Sequence, residues 1–109
     1  MIQLEIQKRE NNDYYFRLTD NEGKTLLISE SYNKKENVVP GIESLKFILP
    51  NPDHIEKKTT LQGKYFFLVK NNGQIICTSG LFRTADICDK LLTEMQSEIA
   101  QVGVIDSAH

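Results

Sequence analysis

The chain contains no tryptophan, only two cysteines and two histidines among its 109 residues, and neither sign of charge prevails, with 13 basic against 15 acidic side chains. Each scarcity excludes something. A formal net charge of −2 gives the whole molecule little attraction for phosphate backbones or anionic lipid. Cys77 and Cys88 are too far apart for a CxxC redox pair and have no partner Cys or His at zinc-site spacing, so both are read as small buried hydrophobes. His54 and the terminal His109 are poorly placed for general-base work, and no serine sits in a G-x-S-x-G elbow. No apolar run approaches the roughly 20 residues needed to span a bilayer. The opening MIQLE alternates in polarity and lacks the basic-then-apolar pattern of an export signal, so a cytoplasmic location without membrane attachment is expected.

What is present suits one folded unit. A hydrophobic fraction of 39% can fill a modest core, and 26% charged residues provide an ordinary soluble surface. The chain also repeats itself at an offset of 50. Tyr15 meets Tyr65, Phe16 meets Phe66, Leu18 meets Leu68, Asn21 meets Asn71, Gly23 meets Gly73 and Ser29 meets Ser79. Agreement at so many apolar and turn positions argues for two copies of one supersecondary unit, about 2–50 and 53–100. A lone half of about 50 residues buries too little surface to stand comfortably alone, so the copies are expected to share a core as one domain over 1–109.

Within each copy the period of the apolar residues changes from two to about 3.6. LEIQK alternates and reads as a strand, with IEKKT as its weaker counterpart at an offset of 51. YYFRLT and YFFLV are the second strands, KTLLIS and QIICTS the third, joined by turns in which Gly23 and Gly73 permit positive φ. Helices follow. Asn33 with Glu36 has the spacing of a capping box, and Thr84 opens the second helix. The apolar stripes run Val38, Ile42, Leu45, Leu49 and Ile87, Leu91, Met95, Ile99, with Cys88 and Leu92 widening the second. Pro40 interrupts the first stripe, and its phase favours a kink near Val39 over a later helix start. Residues 102–106 have the composition of a further edge strand, while residues 107–109 are expected to fray. The expected class is α+β: two β-β-β-α repeats in one antiparallel sheet, with two helices packed on one face and pseudo-twofold symmetry.

These residues resemble the YegP-like family of small tandem-repeat domains over roughly residues 2 to 100. The resemblance rests on Leu4-Glu5, Tyr15-Phe16-Arg17-Leu18, Asn21, Gly23, Ser29-Glu30, Tyr32 and Gly41-Ile42-Glu43-Ser44-Leu45 in the first copy. In the second it rests on Ile55-Glu56, Gly63 through Leu68, Asn72-Gly73, Thr78-Ser79 and Phe82. It implies a single sheet to which each repeat or subunit gives three strands and a helix, with C-terminal strands exchanged. Single-repeat relatives would build the same body as dimers. The chain departs from the pattern at Pro40 and at Asp89-Lys90-Leu91-Leu92, where Gly-Ile is usual. The family lends no activity or ligand.

Chemistry-bearing constellations are sparse. Glu5 and Glu56 recur as a pair, but both lie opposite the apolar phase of their strands, where solvent keeps carboxylates ionised. NEGKT at residues 21–25 lacks the earlier glycines of a phosphate loop and leads into a strand instead of a helix. No catalytic residue, cofactor or metal ligand is assigned. The remaining candidate is the sheet face opposite Phe16 and Leu18, where Tyr15, Arg17, Tyr65 and Phe67 would stand together for a protein partner or self-association. Two alternatives follow from the same sequence: a nucleic-acid module using that face with Lys34, Lys35, Lys57, Lys58 and Lys64, and an enzyme with a site in the groove between the copies.

Overall fold

A computed structural model describes residues 2–108. In chain order the elements are β1 (Gln3–Lys8), β2 (Tyr14–Thr19), β3 (Thr25–Ser29), α1 (Val38–Ile48), β4 (Ile55–Thr59), β5 (Tyr65–Asn71), β6 (Gln74–Ser79), α2 (Ala85–Glu98) and β7 (Val104–Asp106). The strands form one sheet in the order β4-β5-β6-β3-β2-β1-β7. Three strands and then a helix recur twice along the chain, as the change of apolar period predicts. β7 does lie within residues 102–106, yet it runs parallel to β1, with Leu4 beside Val104 and Ile6 beside Asp106. All other neighbours are antiparallel. The sheet is therefore mixed and not purely antiparallel. Hairpins impose antiparallel pairing, whereas β7 arrives by way of α2, and a crossover of that kind permits the parallel alignment.

One face of the sheet carries the core. Leu4, Ile6, Phe16, Leu18, Leu27, Phe67, Val69 and Cys77 join Val38, Ile42, Leu45 and Ile48 of α1 and Cys88, Leu92, Met95 and Ile99 around α2 in one buried cluster. Burying a side chain of this size is worth about 1.5–3 kcal/mol, so this cluster dominates the stability. Leu68, though buried, stands outside it, as do Ile28 and Phe66. These three point to the other face.

Two buried serines brace the halves in the same way. Ser29 Oγ accepts from the Phe16 amide at 2.9 Å and donates to its neighbour's carbonyl, Glu30 O, while Ser79 Oγ accepts from Phe67 N at 2.9 Å and donates to Gly80 O. The first contact spans 13 residues and the second 12. The difference lies in the hairpins: residues 20–24 join β2 to β3, whereas β5 and β6 turn on Asn72 and Gly73 alone, at φ 53° and 80°, the left-handed pair that a two-residue hairpin needs. The second strands therefore correspond at an offset of 51, like the first strands, and the offset returns to 50 only at β6. Phe67, and not Phe66, is the counterpart of Phe16.

The helix starts also differ from expectation. Asn33 does not cap α1; a 3₁₀ turn over Lys35–Asn37 leads into it, and Asn37 at its N-terminus makes no side-chain cap. Pro40 falls in the first turn of α1, where amides have no intrahelical acceptor, so it interrupts no helical hydrogen bond. Thr84 does cap α2, accepting from Ile87 N at 3.1 Å. In α2 the buried stripe is Cys88, Leu92 and Met95, continued by Ile99 in the 3₁₀ turn that follows; Ile87 is 43% exposed and Leu91 only partly covered. The C-terminal segment is held and does not fray up to Ala108, which is buried and whose carbonyl accepts from Lys35 Nζ at 3.0 Å. His109 lies outside the described residues. No helix among the described residues is long and apolar enough to cross a membrane.

Candidate functional site

The face away from the helices is built from one cross-strand row. Strand register places Glu5 beside Arg17, Arg17 beside Ile28, Ile28 beside Thr78, Thr78 beside Leu68 and Leu68 beside Glu56. Side chains directly opposite one another share a face, so six strands contribute to this single line. Tyr15 and Phe66 flank it as counterparts at an offset of 51. Ile75, beside Lys70, adds an apolar side chain that is 41% exposed.

The ends of the row are ionic. Arg17 reaches Glu5 at 3.3 Å and donates to Thr25 Oγ1 at 2.9 Å. Among the described residues its Nε and the hydroxyl of Thr19 are buried without a hydrogen-bond partner. At the other end Lys70 and Lys58 approach Glu56 at 3.4 and 3.6 Å, and the Lys70 hydrogen bond, helped by Lys58, holds that carboxyl below its ordinary pKa. Arg9 stacks on Tyr15, its guanidinium carbon 4.2 Å from the ring centroid, a cation–π contact that limits access to one side of the ring.

Only half of the four-residue surface read from the sequence survives. Tyr15 and Arg17 are on this open face. Tyr65 and Phe67 are on the helix-covered face, where Phe67 is wholly buried and Tyr65 packs against the core. The correction follows from the hairpin lengths: an offset of 51 turns every side chain of β5 over relative to the assumed 50, because a one-residue shift exchanges the two faces of a strand. The residues missed were Phe66, Leu68 and Ile28. The sequence carried part of the signal, since the first strands already correspond at an offset of 51, but pattern does not say which loop absorbs the missing residue.

Four other titratable groups make their contacts within the fold. His54 is tied to the Lys70 carbonyl through Nδ1 at 2.8 Å. Both cysteines are buried and free, as expected, and burial raises both thiols' pKa, strongly so for Cys77. Burial also raises the pKa of Tyr32, whose ring stacks near Phe16 with centroids 6.3 Å apart. Its hydroxyl lies against Gly41 of α1, where no Cβ could be accommodated without displacing it.

Comparison with known proteins supports the same architecture. Residues 10–53 match a family described as a domain of unknown function, DUF1508. The chain is 38% identical over 83 residues to the UPF0339 protein YegP of Escherichia coli strain K12, covering 75% of this chain and 76% of that one. It is 28% identical over 104 residues, 94% of each chain, to a UPF0339 protein encoded in the ptx operon 5′ region of Stutzerimonas stutzeri. The solution NMR structure of E. coli YegP superimposes with a TM-score of 0.88 at 30% identity, covering 98% of this chain and 93% of that one. That of a UPF0339 protein from Shewanella oneidensis gives 0.89 at 26%, covering 98% and 92%. The chain belongs to the YegP-like UPF0339 family, an α+β family whose function is not established.

Proposed function

We propose that the protein is a non-enzymatic interaction domain: two copies of one β-β-β-α unit around a pseudo-twofold axis between Ile28 and Thr78, presenting its open sheet face to a protein partner. The observation that supports this reading is the row Glu5-Arg17-Ile28-Thr78-Leu68-Glu56, apolar at its middle and ionic at both ends. An apolar centre with a charged rim is how protein interfaces are composed. Tyr15, Phe66 and Ile75 extend that centre, and aromatic side chains dominate interface energetics. A polyanion suits the face less well, because Glu5 and Glu56 stand at its two ends and offset the neighbouring cations. The occupant is accordingly a protein surface with an apolar centre.

Affinity capture from the native cell extract, run in parallel with nuclease treatment, tests the reading. A protein retained by the parent chain, insensitive to nuclease, should be lost on Ile28→Asp and Phe66→Ser and kept on Phe47→Ala, which alters an exposed residue of α1. Retention by both open-face variants would rule this surface out, and loss with nuclease would favour nucleic acid.

A further inference from the structure

The sheet has unequal edges. The edge of β1 is covered by residues 102–108, whereas β4 ends the sheet on the other side with, among the described residues, a neighbour only in β5. What residues 102–108 do on the β1 edge is specific. Leu4 N donates to Gly103 O at 3.1 Å and Ser107 N to Ile6 O at 2.9 Å. Lys46 of α1 donates to Val102 O at 2.9 Å, and Lys35 just before α1 binds both Ala108 O at 3.0 Å and Asp106 at 2.6 Å. Val102 and Ala108 enter the core at the two ends of the segment.

The counterpart groove between β4 and α2 is open at the same two places. A cleft of about 470 Å³ is lined by Pro52, Ile55, Leu92 and Gln96; Gln96 stands where Lys46 stands in the first half and donates to Leu49 O at 3.0 Å. A second, of about 240 Å³, is lined by Cys88, Tyr65 and Ala85, and Ala85 stands where Lys35 stands. The clefts abut at Lys57 and Asp89, which line both and form an ion pair of 2.9 Å across the groove. In the first half these two positions are Ile6 and Val39. The inter-copy linker explains the vacancy: from Leu49 the chain turns through the 3₁₀ turn Pro52–His54 directly into β4, too short to supply a strand of its own.

We propose that this groove binds an extended peptide of a partner protein, added parallel to β4 as β7 is to β1. The segment would be about seven residues long by the internal template, with a small apolar side chain near each end for the two clefts. Between them it carries an apolar-x-acidic triplet. The acidic residue, at the place of Asp106, lies beside Lys57 as Asp106 lies beside Ile6, and takes the ammonium from Asp89. The main-chain ladder supplies affinity, and the lysine selects for the carboxylate. A second copy's C-terminus is the poorer occupant, because it would have to leave its own β1 edge. The inference relies on the correspondence of the two copies and is independent of what binds the open face.

The test is amide NMR on the full-length chain titrated with a capped synthetic peptide, QVGVIDSA, the chain's own residues 101–108. Saturable shifts confined to Ile55–Thr59 and the facing side of α2 are expected, with the open-face amides of Arg17, Ile28 and Leu68 unmoved. Asp89→Asn, by freeing Lys57, should tighten binding about threefold or more, and Lys57→Glu should weaken it about tenfold, the scale of a lost and reversed charge pair. A peptide with lysine in place of its aspartate should recover on the Lys57→Glu variant. Absence of shifts on β4 at millimolar peptide, shifts confined to β1 and α1, or equal binding of a scrambled peptide would overturn the proposal. Loss of the open-face interaction would leave these results unchanged, so the two readings fail separately.

Discussion

Gly41 of α1 lies against the hydroxyl of Tyr32, close enough that a methyl group on Gly41 would overlap it. The corresponding pair in the second half is Leu91 with Phe82. Loss of the hydroxyl there accompanies a larger helix residue, and this is the departure at Leu91 read from the sequence. Ala exceeds Gly in helix propensity by about 1 kcal/mol, but overpacking against a ring fixed beside Phe16 costs about 1–3 kcal/mol. Gly41→Ala should therefore lower the midpoint of urea unfolding. Combined with Tyr32→Phe the loss should shrink, and a double-mutant cycle showing no coupling would refute the contact.

The serine braces make a second prediction. Ser29→Ala and Ser79→Ala each leave a buried strand amide, Phe16 N or Phe67 N, without its acceptor. Each should cost about 1–3 kcal/mol in chemical denaturation, with the slope unchanged. Cysteine at either position, close in size but a poor acceptor, should not restore stability.

Removal of residues 102–108 strips the parallel strand from β1 and takes Val102 and Ala108 from the core. The expected loss is about 3 kcal/mol or more from apolar burial and main-chain bonds together. Thermal unfolding of the truncated chain measures it, and an unchanged midpoint would show that the segment merely rests on the sheet. In the same vein, residues 2–51 made alone should be unfolded or dimeric by circular dichroism and size-exclusion chromatography, since β3 pairs with β6 across the middle of the sheet.

A pH dependence follows from the thiols. Burial raises the pKa of Cys77 well above its ordinary value of 9.0, and that of Cys88 in the same direction. Below pH 9 both are protonated in folded and unfolded chains, and their contribution is fully present. Above it the unfolded chain releases protons that the folded chain retains, so stability falls as pH rises, by up to about 1.4 kcal/mol per unit for Cys77, with Cys88 acting in the same direction. Denaturation midpoints between pH 8 and 10.5 should decline, and Cys77→Val should flatten the decline. An equal slope in that variant would assign it elsewhere. Thiol reagents should label neither cysteine faster than the chain opens.

Local grammar was legible in the residues alone. Alternation in LEIQK, the glycine turns, the Thr84 cap and the 3.6-period stripes depend on contacts within a few residues, and each element appeared where those patterns put it. The recurrence of apolar and turn positions at a nearly constant offset was legible too. On the sheet faces, one residue was responsible for the misreading. A strand's two faces exchange with a shift of one, so assigning the length difference to the wrong loop sent Tyr65 and Phe67 outward and hid Phe66 and Leu68. Only the tertiary structure decided which hairpin is shorter, because Ser29 and Ser79 count the residues across the ladder and pattern cannot. It also decided that β7 runs parallel to β1 while β4 keeps an open edge, since strand partners so distant in sequence are chosen by where the helices deliver the chain.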